Sequence, residues 1–181
     1  MSQTGYSAVV IPGSQTLSKE AASELVYSSW LNTHIMWEKF RTTGGCYGAW
    51  AGIDSGERLF KLSTYRDPDP EKHSDLLPAS LEEAAKTSLT HEDVEKAIVS
   101  CYGDAITPLT PRDRGKQAFE TFVYANNGFK QLRVDRILEV QDEDVAQAAQ
   151  RLVQMAAKES HKAIFCDKSK ESYGKNLDIP L

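Results

Sequence analysis

The sequence predicts an α+β fold, an antiparallel sheet covered by helices, and three stretches carry that prediction. Residues 46–53 and 58–66 alternate in character on either side of Asp54-Ser55-Gly56-Glu57, the pattern of two strands joined by a tight turn. Between Ser18 and Arg41, the residues Ala22, Leu25, Val26, Ser29, Thr33, Met36, Trp37 and Phe40 recur at three- and four-residue spacing, the period of one helix face. From Glu71 to Lys158 helical signals follow one another with short polar breaks. A one-sided hairpin and a series of one-sided helices bury their apolar faces by stacking as layers. At 181 residues the chain is expected to form a single domain with its own core.

Taken in order, residues 5–11 form a short strand closed by Pro12-Gly13-Ser14, at the edge or inside the sheet. Ser18 caps a helix of about 24 residues, ~36 Å, running to Arg41. The small Ser29 and Thr33 on its stripe let the backbone approach a sheet closely. Gly44 and Gly45 then supply the positive φ of a helix C-cap. In the hairpin, a two-residue loop at Ser55-Gly56 puts Tyr47, Ala49, Ala51 and Ile53 on one face with Phe60, Leu62 and Thr64. That apolar face should look toward the helices. The other, with Gly48, Trp50, Gly52, Lys61 and Ser63, is open, and its glycines leave backbone bare for an approaching strand.

Asp67-Pro68-Asp69-Pro70 stops the second strand. The helical stretch 71–87 contains Pro78 and the capping-box pattern Ser80-Leu81-Glu82-Glu83, so a break or kink is expected there. Thr90 caps a helix carrying Val94, Ala97, Ile98 and Cys101. After the loop 103–110, Pro111 opens a helix bearing Ala118, Phe119, Phe122 and Val123, closed by Asn126-Asn127-Gly128. Helices over 129–139 and 142–158, a final strand over 161–166 and an irregular polar tail over 168–181 complete the chain.

Composition removes several functions. With 21 Lys+Arg against 26 Asp+Glu the net charge is −5, and no basic run offers a nucleic acid an electrostatic footprint. No apolar run approaches membrane-spanning length and the start shows no export signal, so a soluble protein without a membrane partner is expected. Three widely separated cysteines, Cys46, Cys101 and Cys166, suit reduced thiols in a cytoplasm or organelle matrix. The four histidines, His34, His73, His91 and His161, are scattered and form neither H-x-x-E-H nor H-E-x-x-H. No sequence cue sets His34 or His161 against Cys46, which reads as a small buried strand residue. Phosphate-binding and dinucleotide loops are also missing.

The chemistry that remains sits at the turn Trp37-Glu38-Lys39-Phe40-Arg41-Thr42-Thr43-Gly44-Gly45-Cys46-Tyr47-Gly48. Arg41 and Tyr47 stand on either side of it. A guanidinium fork and a phenol together can grip an extended peptide or a developing oxyanion. By spacing alone, Arg41 equally suits a helix C-terminus and Tyr47 an ordinary half-buried strand position.

The run Arg41-x-x-Gly44-Gly45-Cys46-Tyr47-Gly48 followed by Tyr65-Arg66-Asp67-Pro68 resembles the last domain of pitrilysin-type zinc metallopeptidases, presequence-protease branch. Members usually read Arg-x-x-Gly-Gly-Ala-Tyr-Gly and Ser-Tyr-Arg-Asp-Pro, so Cys46 replaces the usual alanine. The likeness continues through Gly103-Asp104, Gly115, 133–138 and 142–145. It implies the pitrilysin-type domain fold and a place opposite a zinc-bearing domain, of the same or a companion chain, in a peptide-degrading chamber. Arg41 and Tyr47 would bind substrate and stabilise the tetrahedral intermediate, supported by Gly44, Gly45 and Gly48. The zinc is expected in that other half, with no metal ligand in this chain, and the isolated chain is expected to hydrolyse nothing. Arg66 and Asp67 are expected to form an ion pair and turn that fix the strand exit. The same fold without zinc ligands also serves as a scaffold, which is the alternative.

Overall fold

Side-chain alternation builds one sheet from β1 (Gly5–Pro12), β2 (Gly48–Asp54), β3 (Leu59–Asp67) and β4 (His161–Phe165), in the order β2-β3-β1-β4 and antiparallel at every seam. The structure is a computed structural model that describes residues 4–54, 57–123 and 129–167. The Ser55-Gly56 loop, Asn126-Asn127-Gly128 and the tail 168–181 lie outside the described residues. β1 is an inner strand. The hairpin faces are the expected ones but the register is shifted by two residues: Ala49, Ala51 and Ile53 lie opposite Thr64, Leu62 and Phe60, and Asp54 lies opposite Leu59, where a two-residue loop at Ser55-Gly56 would have set it opposite Glu57. Val9, Ile11, Ala51, Phe60 and Leu62 are buried under the helices. A one-residue slip would turn these side chains to water together, each large one forfeiting about 1.5–3 kcal/mol.

The helical layer consists of α1 (Lys19–Leu31), a π-helical continuation (Asn32–Thr43), α2 (Pro70–Ala84), α3 (His91–Ile106), α4 (Pro111–Val123), α5 (Phe129–Leu138) and α6 (Asp142–Lys158). None is long and apolar enough to cross a membrane. Ser18 caps α1 by accepting from the Ala21 N–H at 3.1 Å, as expected. The single long helix is corrected, because α geometry ends at Leu31. In the π segment the hydrogen bonds span five residues, and the buried positions Leu31, Met36 and Phe40 follow at intervals of five and four. The wider turn rotates Thr33 and Trp37 out of the expected stripe, and Trp37 is 52% exposed. It also brings Asn32 to the edge strand. The Asn32 amide donates to the Ala51 carbonyl at 2.9 Å and accepts from the Ala51 N–H at 2.6 Å, so this stretch of β2 is already paired.

Two further expectations are corrected. Helix α2 runs through Pro78 without a break; Leu77, Leu81 and Ala84 are buried around it, and this packing offsets the hydrogen bond that proline removes. The Ser80 hydroxyl donates to the Leu77 carbonyl at 2.6 Å instead of opening a new helix. Helix α4 forms where expected but buries nothing. Ala118, Phe119, Phe122 and Val123 all face solvent, Phe122 at 84% exposure. No element among the described residues covers its apolar side.

Opposite the helices, the sheet shows a face carrying Tyr6, Trp50, Tyr65 and Phe165. Tyr6 packs edge-on against Tyr65 with ring centroids at 5.3 Å and lies 5.9 Å from Phe165, while Trp50 reaches Tyr65 at 6.2 Å.

Candidate functional site

The turn between the π segment and β2 is held by its backbone. The Gly45 N–H donates to the Arg41 carbonyl at 3.2 Å and the Cys46 N–H to the Phe40 carbonyl at 3.0 Å. The two glycines serve different ends. Gly45 alone takes the positive φ, at 76°, while Gly44 is right-handed at φ −78°. At Gly44 a Cβ would stand 2.6 Å from the Phe40 carbonyl oxygen and 2.9 Å from His73 Nε2. It is glycine for close packing. At Gly48, a Cβ would clash with Cη2 of the Trp50 ring, because that ring lies over this backbone. The glycine expected to stay bare is therefore covered, whereas Gly52 has open space above it.

Arg41 and Tyr47 meet across this turn. The Arg41 guanidinium lies 4.0 Å from the Trp37 ring centroid and 5.9 Å from that of Tyr47. Tyr47 does not face the helices as expected; it is 64% exposed, on the outer face against Tyr65 at 5.9 Å. The inward position at the start of the strand is taken by Cys46, and Tyr47 stands just ahead of β2, its N–H donating to the Tyr65 carbonyl at 3.1 Å.

Arg66 joins them. Its guanidinium lies 5.6 Å from the Tyr47 ring centroid and 5.7 Å from that of Tyr65. The expected Arg66–Asp67 ion pair does not form. Arg66 is exposed, while Asp67 is buried and accepts from His73 Nδ1 at 2.6 Å, the Thr64 hydroxyl at 2.6 Å, the Ser7 hydroxyl at 3.4 Å and its neighbour's Asp69 N–H at 2.8 Å. Neither Arg41 nor Arg66 has a carboxylate within ion-pair distance among the described residues.

Directly behind the turn lies a group that the sequence did not announce. Cys46 Sγ is 3.4 Å from His73 Nδ1, and Cys46, Asp67 and His73 are all buried with their polar atoms within 4.8 Å of one another. The residues are 27 positions apart at the Cys–His contact, and no local pattern marks it. The Phe40 ring packs edge-on against His73 at 5.7 Å. The arrangement does not suit a thiol nucleophile. Burial first, and the neighbouring Asp67 second, push the Cys46 thiol from 9.0 up to about 12, and the reactive form is the thiolate. Nor does it suit a catalytic zinc site, which keeps an open position for water. Asp67 already receives four donors, and His73 Nδ1 is hydrogen-bonded to it. The cluster is a hydrogen-bonded knot joining the turn, β3 and α2.

A test follows from the thiol. With folding pushing this thiol up from 9.0 to about 12, the folded state is expected to hold the extra proton in between and to lose stability as pH rises through that window. Urea midpoints of wild type and Cys46→Ala, compared at pH 8 and pH 10.5, should converge or cross as the wild type loses this contribution. Iodoacetamide at pH 8 should leave Cys46 of the native protein unlabelled; rapid labelling would restore it as a nucleophile.

Comparison with known proteins agrees with this fold. A mitochondrial presequence protease of Gibberella zeae is 26% identical over 164 residues, covering 90% of this chain and 16% of that protein. The chain thus spans only a small part of that relative. A putative zinc protease from Bordetella pertussis superposes with a TM-score of 0.71 at 16% identity, covering 91% of this chain and 95% of that one. Pitrilysin superposes with a TM-score of 0.62 at 14% identity, over 90% of this chain and 18% of its own. At these identities the two structures establish the fold, a pitrilysin-type domain. The model of the PreP C-terminal domain matches residues 10–170, and the chain belongs to that family.

Proposed function

We propose that this domain is the non-metal, substrate-binding part of a zinc metalloendopeptidase that degrades unfolded peptides, and that Arg41 and Tyr47 complete the active site of the zinc-bearing half. The observation that carries the reading is the exposed Tyr47 phenol flanked by guanidiniums that have no carboxylate partner among the described residues. In the other half, zinc would polarise the scissile carbonyl and activate water. From this side, Tyr47 would donate to the developing oxyanion and Arg41 to a peptide carbonyl or carboxylate. A peptide would lie along the outer sheet face, because Asn32 already occupies part of the β2 edge.

The isolated chain is expected to bind an unstructured peptide of 15–20 residues, read as a change in Trp37 and Trp50 fluorescence, and to hydrolyse none of it. Hydrolysis should begin when the zinc-bearing half is added. Chelator-sensitive turnover by the pure chain, lost in Arg41→Ala, would overturn this reading.

The second reading is a scaffold subunit, and the uncovered apolar side of α4, with Phe119 and Phe122 exposed, favours a protein contact there. Full activity of an assembled protease carrying Arg41→Ala and Tyr47→Phe together would decide for the scaffold.

A further inference from the structure

We infer that Arg66 is a second recognition cation of this site, and that Arg41 and Arg66 together hold a carboxylate of the bound peptide over Tyr47. The inference rests on the peptide-binding reading above and adds the chemistry of the ligand.

Strand β3 is irregular at this point. Gly5 pairs with Asp67 and Ser7 with Thr64, so two steps along β1 are matched by three along β3. The extra residue is a β-bulge, a device that re-aims side chains. In a regular strand Tyr65 and Arg66 would point to opposite faces. Here Thr64 and Asp67 both point inward, bonded to each other at 2.6 Å, and Tyr65 and Arg66 both stand on the outer side. Arg66 takes a left-handed φ of 48° to do so, a conformation unfavourable for a residue with a Cβ. The buried anchor of Asp67 holds it there. The result is a guanidinium over both Tyr47 and Tyr65, on the face to which Arg41 also points.

Two positive forks therefore converge on one exposed phenol in a chain whose net charge is −5, and no carboxylate of the described residues neutralises them. Planar forks match carboxylate geometry and form charge-assisted, often bidentate, hydrogen bonds. The peptide can supply a carboxylate from its C-terminus or from an Asp or Glu side chain.

The test titrates the isolated chain, by tryptophan fluorescence, with four versions of one unstructured peptide: C-terminal acid or amide, each with an internal Glu or Gln. The version carrying the recognised carboxylate is expected to bind on the order of ten-fold more tightly than its neutral counterpart. Preference that follows the C-terminus names the α-carboxylate; preference that follows Glu names a side chain. Arg66→Gln should bring the versions to within about two-fold of one another, and Arg66→Lys should keep part of the difference. Arg66→Gly, which suits the left-handed backbone, should lose the discrimination while its Tm holds or rises. Equal binding of all four versions by wild type, or discrimination intact in Arg66→Gln, would overturn the proposal and leave the peptide-binding reading standing. Loss of discrimination only in variants whose Tm falls would assign Arg66 to the fold. Failure of every version to bind would remove the peptide-binding reading, and this one with it.

Discussion

Tyr47→Phe, in a protease assembled from this domain and its zinc-bearing half, is expected to lower kcat and kcat/KM together by on the order of 10²-fold, the size of losing one oxyanion donor. The hydroxyl is the only atom removed, and the ring contacts with Tyr65 at 5.9 Å and with the two guanidiniums remain. Arg41→Ala should act differently. In the proposed reading it removes a group that also touches the bound peptide in the ground state, so KM should rise along with any fall in kcat. Trp37→Ala is a useful companion, since Trp37 supports the Arg41 guanidinium at 4.0 Å from its ring centroid without reaching the substrate in this reading. Steady-state kinetics on one fluorogenic peptide would separate the three variants. A Tyr47→Phe enzyme within two-fold of wild type would remove Tyr47 from the chemistry.

Asp67→Ala should be the most damaging single substitution for stability around the site, costing about 3–5 kcal/mol, as for breaking a buried polar pair. At this chain length that lowers Tm by on the order of 10 °C. The buried carboxylate gathers His73 Nδ1, the Thr64 and Ser7 hydroxyls and the Asp69 N–H. Alanine would leave these donors unsatisfied at about 1–3 kcal/mol each, partly relieved by relaxation. Asp67→Asn keeps the shape and should cost less. Urea denaturation of the three proteins measures it. The loss should also appear at the site, because the same knot fixes the Cys46–Tyr47 turn and the Arg66 bulge. A cost below about 1 kcal/mol would mean that the apolar core alone holds the turn.

Much of this was legible beforehand, for a physical reason. The faces of the hairpin follow from period-two alternation, and Ala49, Ala51 and Ile53 share a face with Thr64, Leu62 and Phe60 as that alternation required, whereas the register, set by the loop, is two residues away from the one a two-residue turn gives. Gly45 follows from the handedness of L-residues, and the Arg41–Tyr47 pairing from the short distance along the chain that separates them. The failures are equally specific. Trp37 turned outward because the π segment changed the helical period, which an assumed α spacing cannot contain. The apolar stripe of Phe119 and Phe122 stays exposed, since an amphipathic stripe says that a partner exists, not that it lies in the same chain.

By itself the sequence determined the strands, which hairpin residues share a face, and the turn that sets Arg41 beside Tyr47, since each depends on residues a few positions apart. Only the tertiary structure decided that His73 meets Cys46, that Asp67 turns inward rather than pairing with Arg66, and that Arg66 joins the site. Those outcomes come from packing between distant segments and from one bulge in β3, where a buried carboxylate's demand for donors overrides the alternation written in the strand.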